Sequence, residues 1–166
     1  IDPHVRSGYE RLSDAAEAID YRLAPDPYTV AVGDASARFH LANRTEYNRV
    51  STLVGEREIL REFLATLRPD DVFWDIGGNI GTHTCLAADV LTDGRVVSFE
   101  PHPGNFSDLE ANVALNGLEH VDLRQAALGE SAGSATLTLG GEGPGYGTHS
   151  LVSADGVGEI EVAVEV

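Results

Sequence analysis

The sequence contains no lysine: its 11 basic residues are all arginines, against 27 aspartates and glutamates. The resulting formal net charge of -16 is spread along the chain and does not form an acidic tail. A surface this negative repels phosphate backbones, which argues against nucleic acid as the main partner. Many acids without lysine also resemble the composition of proteins from salt-loving organisms, so we expect the fold to be halophilic and most stable in high salt.

Cysteine and long apolar runs are also scarce. Cys85 is the single cysteine, which excludes an internal disulfide framework and fits a reducing cytoplasm. No apolar run approaches the ~20 residues that a membrane span needs, and the N-terminus has no signal-peptide pattern. We therefore expect a cytoplasmic protein without a membrane partner.

Several chemical motifs are missing as well. The six histidines and the cysteine show no convincing metal-ligand spacing, so we predict no metal site. The chain has neither a Gly-x-Ser-x-Gly elbow nor a P-loop lysine, which argues against a hydrolase and a kinase.

The first third of the chain predicts an extension without chemical signals of its own. A helical spacing of apolar residues ends at two prolines, two short strands follow around a Gly33-Asp34 turn, and a polar stretch predicts a loop. We interpret residues 1–55 as an N-terminal helix and β-hairpin extension, with these segments: the helix at 7–23, the strands Tyr28 to Val32 and Ala37 to Leu41, and the loop Asn43 to Thr52.

Helices and strands alternate after this extension, which predicts consecutive βαβ units, a parallel sheet and the α/β class. The expected helices and strands are Glu56 to Leu67, Val72 to Ile76, Ile80 to Leu91, Arg95 to Phe99, Asn105 to Asn116 and Val121 to Gln125. The pattern then changes to an antiparallel pair, Ser134 to Leu139 and Glu159 to Val166, joined by the glycine-rich loop Gly140 to Gly147. Since a doubly wound domain usually has further strands, we expect the domain at residues 56–166 to be incomplete, with the C-terminal part of its sheet missing.

Two carboxylates close the first two strands of this alternation, Asp75 before a glycine turn and Glu100 at the end of the next strand. An acid in the second position accepts hydrogen bonds from ribose hydroxyls. A dinucleotide fingerprint would need glycine where Ile76 stands, and Asp75 would repel the diphosphate. A cationic nucleoside without phosphate, such as S-adenosylmethionine, fits better. A non-catalytic nucleoside-binding module and another Rossmann-fold enzyme, such as an NAD-dependent dehydrogenase, remain alternatives.

Three segments together resemble the FkbM-type family of S-adenosylmethionine-dependent methyltransferases: Val72 to Gly81, Val96 to Pro101 and Asn112 to Gly117. The resemblance covers roughly Glu56 to the C-terminus. It implies a Rossmann-like class I methyltransferase fold, a three-layer α/β/α sandwich, with S-adenosylmethionine as cofactor. It also implies methyl transfer to a small-molecule acceptor, through a hydroxyl oxygen of a sugar or natural product.

The resemblance also implies the residues of the cofactor site. Those around the glycine turn would line the methionine side, Glu100 would bind the ribose, and adenine would lie near the end of the third strand. The predicted cofactor-binding set is Asp75, Gly77, Gly78, Asn79, Gly81, Glu100, Pro101, Gln125 and Ala126.

Other residues near this site have no assigned role. Glu56 resembles an acid that some relatives place near the cofactor, with a solvated helix face as the alternative. His83 and His102 lie close to the predicted pocket, but no catalytic base is assigned. Relatives continue into an Asp-x-Glu-Gly-type motif beyond the position of Val166, so we expect this polypeptide to have little turnover alone.

Overall fold

The computed structural model describes residues 21–141, 145, 149–151 and 156–166. The helix expected at 7–23 falls mainly outside them, and residues 21–23 are helical. The loop predicted from Gly140 to Gly147 also lies largely outside the described residues.

Strands and helices alternate along most of the described chain. In order they are β1 (Tyr28–Val32), β2 (Ala35–Phe39), α1 (Arg44–Thr52), a 3₁₀ turn (Leu53–Gly55), α2 (Arg57–Thr66), β3 (Val72–Ile76), α3 (Thr82–Val90), β4 (Arg95–Phe99), α4 (Pro103–Asn116), β5 (Val121–Arg124), β6 (Ala127–Leu128), β7 (Gly133–Leu139) and β8 (Gly158–Glu165).

The central sheet is parallel, with the order β3-β4-β5 and the register Val72 to Arg95 and Val96 to Val121. Helices α3 and α4 connect its strands, which confirms the predicted βαβ units and the α/β, Rossmann-like class. Helix α4 ends at Gly117, whose φ of 66° closes the helix in the left-handed region.

The two faces of this sheet differ in how they are covered. Helices α2, α3 and α4 contribute to the core on one face, where the Phe63 ring lies 5.0 Å from that of Phe73. On the opposite face of β3, alternate side chains remain exposed in the described structure: Val72 by 52%, Trp74 by 53% and Ile76 by 66%.

The predicted hairpin is confirmed, with its second strand at Ala35–Phe39 and not from Ala37 to Leu41. β1 and β2 pair antiparallel around a turn in which Gly33 has a φ of 61°, a conformation that glycine adopts without strain. Apart from Tyr28, its inward residues are buried, and β2 and the residue that follows it are hydrogen-bonded to the helices. The Ser36 N–H donates to Asp89 of α3 at 2.8 Å, and the His40 N–H donates to Asn112 of α4 at 2.8 Å.

The loop predicted from Asn43 to Thr52 is wrong, because this stretch forms helix α1. The Asn43 side chain caps the helix by accepting from the Glu46 N–H, while a Glu46 carboxylate oxygen accepts from the Ala42 N–H at 2.7 Å. These reciprocal bonds satisfy free N–H groups at the start of the helix. The helix buries Glu46 and Val50, too few apolar positions to produce a helical pattern in the sequence.

A second, smaller sheet follows, with the order β6-β8-β7. Strands β7 and β8 pair antiparallel from Gly133 and Val164 to Leu139 and Gly158, which confirms the predicted pair. The structure adds the two-residue strand β6, parallel to β8. Among the described helices, none combines the length and apolar character required to cross a membrane.

Candidate functional site

The glycine turn between β3 and α3 is folded back onto the end of β4. The N–H groups of Gly77 and Gly78 both donate to the carbonyl oxygen of Phe99, at 2.8 and 3.0 Å. Gly77, Asn79 and Gly81 have positive φ angles of 87°, 52° and 93°. Two of these three positions hold glycine because side chains disfavour this conformation, and asparagine tolerates it better than most residues.

Gly78 and Gly81 are also required by packing. A Cβ atom at Gly78 would lie 2.2 Å from the hydroxyl oxygen of Ser98, and one at Gly81 would lie 2.8 Å from a methyl carbon of Leu109. The turn therefore lies directly on β4 and α4, which fixes its position relative to Glu100.

Asp75 lies beneath the turn and is 8% exposed. Its Oδ2 accepts a hydrogen bond from the Thr84 hydroxyl at 2.5 Å, and the hydroxyl oxygens of Thr84 and Ser98 are 2.9 Å apart. Burial raises the pKa of Asp75, while the Thr84 hydroxyl and the nearby His83 act in the opposite direction. The Asp75 carboxylate thus connects β3 to the first turn of α3.

Glu100 lies at the carboxyl end of β4 and is 4% exposed. One carboxylate oxygen accepts from the Asn79 N–H and the other from the His102 N–H, each at 2.8 Å. Burial raises the pKa of Glu100, and these two backbone bonds oppose that rise. Each oxygen can accept more than one hydrogen bond, so the carboxylate retains capacity for a ligand hydroxyl.

Two neighbouring cavities share Arg49, Gly77 and Asn79. The first, the Glu100 cavity, is completed by Glu100, Pro101, Asn105, Leu137 and His149. The second, the Thr82 cavity, is completed by Leu53, Val54, Glu56, Leu60, Gly78, Thr82 and His83. Both lie at the carboxyl end of β3, where open α/β sheets bind their ligands.

Arg49 is a functional candidate that the sequence reasoning missed, since it lies in the stretch that was predicted as a loop. The Arg49 Nε–H donates to the Gly145 carbonyl at 2.9 Å. Burial lowers the pKa of Arg49, while the negative charges of Glu100 and Glu56 act to raise it. The capping pattern of Asn43 and Glu46 is the sequence signal that could have identified the helix.

His149 approaches the Glu100 cavity from the segment after β7. Its ring lies 4.7 Å from that of His102 in a stacked arrangement, and burial lowers the pKa of both. The His149 Nδ1 accepts from the Gly140 N–H at 3.2 Å, which leaves the proton of the neutral ring on Nε2. This Nε2 is buried and has no hydrogen-bond partner in the part of the chain that the structure describes.

The predicted site residues divide into two groups. Gly77, Gly78, Asn79, Glu100 and Pro101 line one cavity or both. Four others do not line either cavity as described: Asp75 lies beneath the turn, Gly81 ends the turn against Leu109, and Gln125 (exposed) and Ala126 (1% exposed) follow β5. The Glu100 N–H donates to the Arg124 carbonyl at 3.0 Å, so Gln125 and Ala126 begin at the same edge of the sheet.

The curated relatives that the chain matches are methyltransferases. It is 38% identical over 86 residues to the hexuronic acid methyltransferase AglP of Haloferax volcanii, an alignment covering 52% of this chain and 35% of that protein. It is 36% identical over 81 residues to methyltransferase 1 of Beauveria bassiana, covering 48% of this chain and 32% of that protein. The matched part thus spans about a third of the length of these relatives.

Solved structures with partial similarity include a methyltransferase and a protein in complex with AdoMet. Precorrin-6y C5,15-methyltransferase from Geobacter metallireducens is 25% identical with a TM-score of 0.40, covering 42% of this chain and 38% of that one. The M. jannaschii TYW2 complex with AdoMet is 16% identical with a TM-score of 0.41, covering 58% and 42%. Because these TM-scores are low, the fold assignment rests on the parallel strand order β3-β4-β5 of the central sheet. No protein-family model matches the chain, so the FkbM-type assignment stays a prediction.

Proposed function

We propose that this chain carries the S-adenosylmethionine-binding part of an FkbM-type methyltransferase. One observation carries the proposal: the buried Glu100 carboxylate faces the glycine turn and accepts from the Asn79 N–H at 2.8 Å. A carboxylate at the end of the second strand, beside the turn after the first, is the arrangement that binds a nucleoside ribose.

The charges around the turn favour a cationic nucleoside over a dinucleotide. Asp75 lies directly beneath the turn, Glu100 lies across from it, and Glu56 lines the Thr82 cavity. A diphosphate at the start of α3 would be repelled by all three carboxylates, whereas a sulfonium and an ammonium would be attracted. This charge distribution supports S-adenosylmethionine.

The polar groups of the Glu100 cavity fit a thioadenosine. Glu100 offers acceptor oxygens for ribose hydroxyls, and Gly77 leaves open space, because a Cβ there would contact nothing within 4 Å. The buried Nε2–H of His149 offers a donor without a partner among the described residues. We place the adenine on the side of Gln125 and Ala126, where β5 ends.

The proposed reaction transfers a methyl group to an oxygen of a small molecule. When bound, S-adenosylmethionine supplies a methyl carbon that the acceptor oxygen attacks while the carbon–sulfur bond breaks, leaving S-adenosylhomocysteine. A hydroxyl acceptor must also lose its proton. His102 and His149 lie beside the cavity, but the Nδ1 of each already accepts a backbone N–H, from Asn105 and Gly140, so neither is assigned as the base.

The acceptor class that we propose is a sugar hydroxyl or a related natural product. The name of the Haloferax volcanii relative specifies a hexuronic acid, which makes acidic sugars the first acceptors to test. Methyl transfer from labelled S-adenosylmethionine to glucuronate, compared with glucose, measures this preference.

Calorimetric titration with S-adenosylhomocysteine and with NAD tests the proposed cofactor. We expect S-adenosylhomocysteine to bind and NAD to bind far more weakly. Binding of NAD alone would instead favour a dehydrogenase, and binding of neither would contradict a nucleoside site. Binding of S-adenosylhomocysteine without transfer to any acceptor would favour a non-catalytic nucleoside-binding module.

A further inference from the structure

The Thr82 cavity contains a buried hydroxyl without a partner. Thr82 is the first residue of α3 and is 6% exposed, and its Oγ1 makes no hydrogen bond within the described ranges. Gly81 precedes it as the N-cap and provides no side chain to the N–H groups of the first turn. Such a helix start attracts negative charge, and a ligand oxygen there would supply the missing partner of Thr82.

A guanidinium faces the same cavity. The Arg49 Nε–H is held by the Gly145 carbonyl, which orients the planar group. Its two terminal nitrogens make no hydrogen bond or ion pair with other described residues, although Glu56 and Glu100 lie near enough to influence its pKa. An oriented and partly desolvated guanidinium of this kind suits a planar anion that accepts two parallel hydrogen bonds.

The surrounding acids limit the charge of that anion. Glu56 lines the same cavity as Arg49, and Glu100 lines the adjoining one. A phosphate dianion would be repelled by both, whereas a carboxylate carries a single negative charge and matches the guanidinium in shape.

We propose that Arg49, Thr82 and the start of α3 form a carboxylate subsite in the Thr82 cavity. The proposal rests on the proposed function, because both sources of a carboxylate belong to that reaction. One source is the methionine end of S-adenosylmethionine, and the other is an acidic acceptor.

Two nucleosides separate the carboxylate subsite from the nucleoside site. S-adenosylhomocysteine and 5′-methylthioadenosine share the thioadenosine part, but only the first has an amino-acid end. We expect Arg49→Gln to weaken S-adenosylhomocysteine binding by about 10-fold to 100-fold and to change 5′-methylthioadenosine binding far less, as measured by calorimetry. Retained 5′-methylthioadenosine binding also demonstrates that the variant is folded.

Two further variants serve as controls. Arg49→Lys keeps the positive charge but loses the planar fork, so we expect an intermediate loss of S-adenosylhomocysteine affinity. Arg61→Gln makes the same charge change at a side chain that is 51% exposed and pairs with Glu58, so both affinities should remain at the unchanged protein's level.

Glucuronate and glucose, titrated into the protein saturated with S-adenosylhomocysteine, identify the other source. If Arg49→Gln leaves S-adenosylhomocysteine affinity intact but weakens glucuronate and not glucose, the subsite holds the acceptor's carboxylate. Two results for Arg49→Gln would overturn the proposal. One is an equal loss of affinity for S-adenosylhomocysteine and 5′-methylthioadenosine, and the other is unchanged affinity for both S-adenosylhomocysteine and glucuronate. Failure of both nucleosides to bind the unsubstituted protein would overturn the proposed function. The carboxylate subsite would then be tested by comparing the affinities for glucuronate and glucose without nucleoside.

Discussion

The two cavities share Arg49, Gly77 and Asn79, but the other polar groups that line them differ. The Glu100 cavity presents a buried carboxylate, which accepts hydrogen bonds. Besides the shared guanidinium, the Thr82 cavity presents the start of a helix and a buried hydroxyl that has no partner among the described residues. A single glycine turn thus separates an end that suits hydroxyl groups from an end that suits a carboxylate, and a ligand reaching across the turn meets both.

The difference follows from where the residues come from in the chain. Glu100 is placed by the parallel sheet, which brings the carboxyl ends of β3 and β4 together. Arg49 comes from α1, a helix outside the βαβ units, and reaches the cavities through its bond to Gly145. The hydrogen-bond-accepting carboxylate of Glu100 therefore belongs to the Rossmann-like core, whereas the hydrogen-bond-donating guanidinium of Arg49 depends on the helix that precedes this core.

The largest expected effect is at Glu100. Glu100→Gln leaves one acceptor oxygen for two backbone N–H groups and removes the charge, so we expect S-adenosylhomocysteine and 5′-methylthioadenosine both to bind weaker by about 1–3 kcal/mol. Glu110→Gln, an exposed position on α4, is the matched control and should leave both affinities unchanged. Equal affinities for Glu100→Gln and the control would remove the distinction between the cavities.

Gly78→Ala tests the close packing of the turn that separates them. The added carbon would lie 2.2 Å from the Ser98 hydroxyl oxygen, which also pairs with Thr84, so we expect a loss of about 1–3 kcal/mol in the free energy of unfolding. Denaturant titration measures it. In Gly158→Ala, the added carbon meets Leu139 at an ordinary 3.7 Å, so a far smaller loss is expected. Equal losses would show that the turn is not held as described.

The pH dependence should have opposite signs for stability and for affinity. Burial raises the pKa values of Glu100 and Asp75 above their ordinary 4.5 and 3.8, so the folded state holds these protons more tightly than the unfolded state. Their contribution to stability is full below the ordinary values and is lost as pH rises through the raised ones. As pH is lowered from neutrality toward those ordinary values, these two acids should raise the melting temperature, against the opposite contribution of the buried His102 and His149, and S-adenosylhomocysteine affinity should fall.

Asp75→Asn should make the melting temperature rise less on acidification than in the unsubstituted protein, because it removes one of the buried acids whose pKa is raised. The results that contradict this account are an unaltered pH dependence of the melting temperature in Asp75→Asn, or an affinity for S-adenosylhomocysteine that rises as pH is lowered.

The smallest expected effect is at Thr82. Thr82→Val keeps the shape of the side chain and removes a hydroxyl without a described partner, so the free energy of unfolding should rise by up to about 1 kcal/mol. Affinity for S-adenosylhomocysteine should fall less than about tenfold, while that for 5′-methylthioadenosine should not change. In Thr66→Val, the lost hydroxyl bonds the Phe63 carbonyl at 2.6 Å, so stability should fall instead. A loss of stability in Thr82→Val together with a gain in Thr66→Val would contradict the assignment of Thr82 as a hydroxyl without a partner among the described residues.

The regular alternation of helical and strand patterns in the sequence made the core of the fold predictable. The β3 turn, the βαβ units, the hairpin around Gly33 and the antiparallel pair β7 and β8 all have clear patterns of apolar residues and glycine. Glu100 could be placed beside the turn from sequence alone, because parallel strands bring their carboxyl ends to one edge.

The remaining features depend on contacts between distant parts of the chain. Helix α1 is polar and is held by capping bonds and by the contact of Arg49 with Gly145, 96 residues later. The stacking of His149 on His102 likewise joins residues 47 positions apart in the chain. No local pattern reports such contacts, which is why the carboxylate subsite emerged only from the structure.

The central claim is that a thioadenosine lies against Glu100 and the glycine turn. Amide chemical shifts in a ¹⁵N-labelled sample, followed during titration with S-adenosylhomocysteine, test it most directly. The account predicts the largest changes at Gly77, Asn79 and His102, whose backbones form the turn or bond Glu100. Saturating changes confined to β7 and β8, or no change at these three amides, would contradict it.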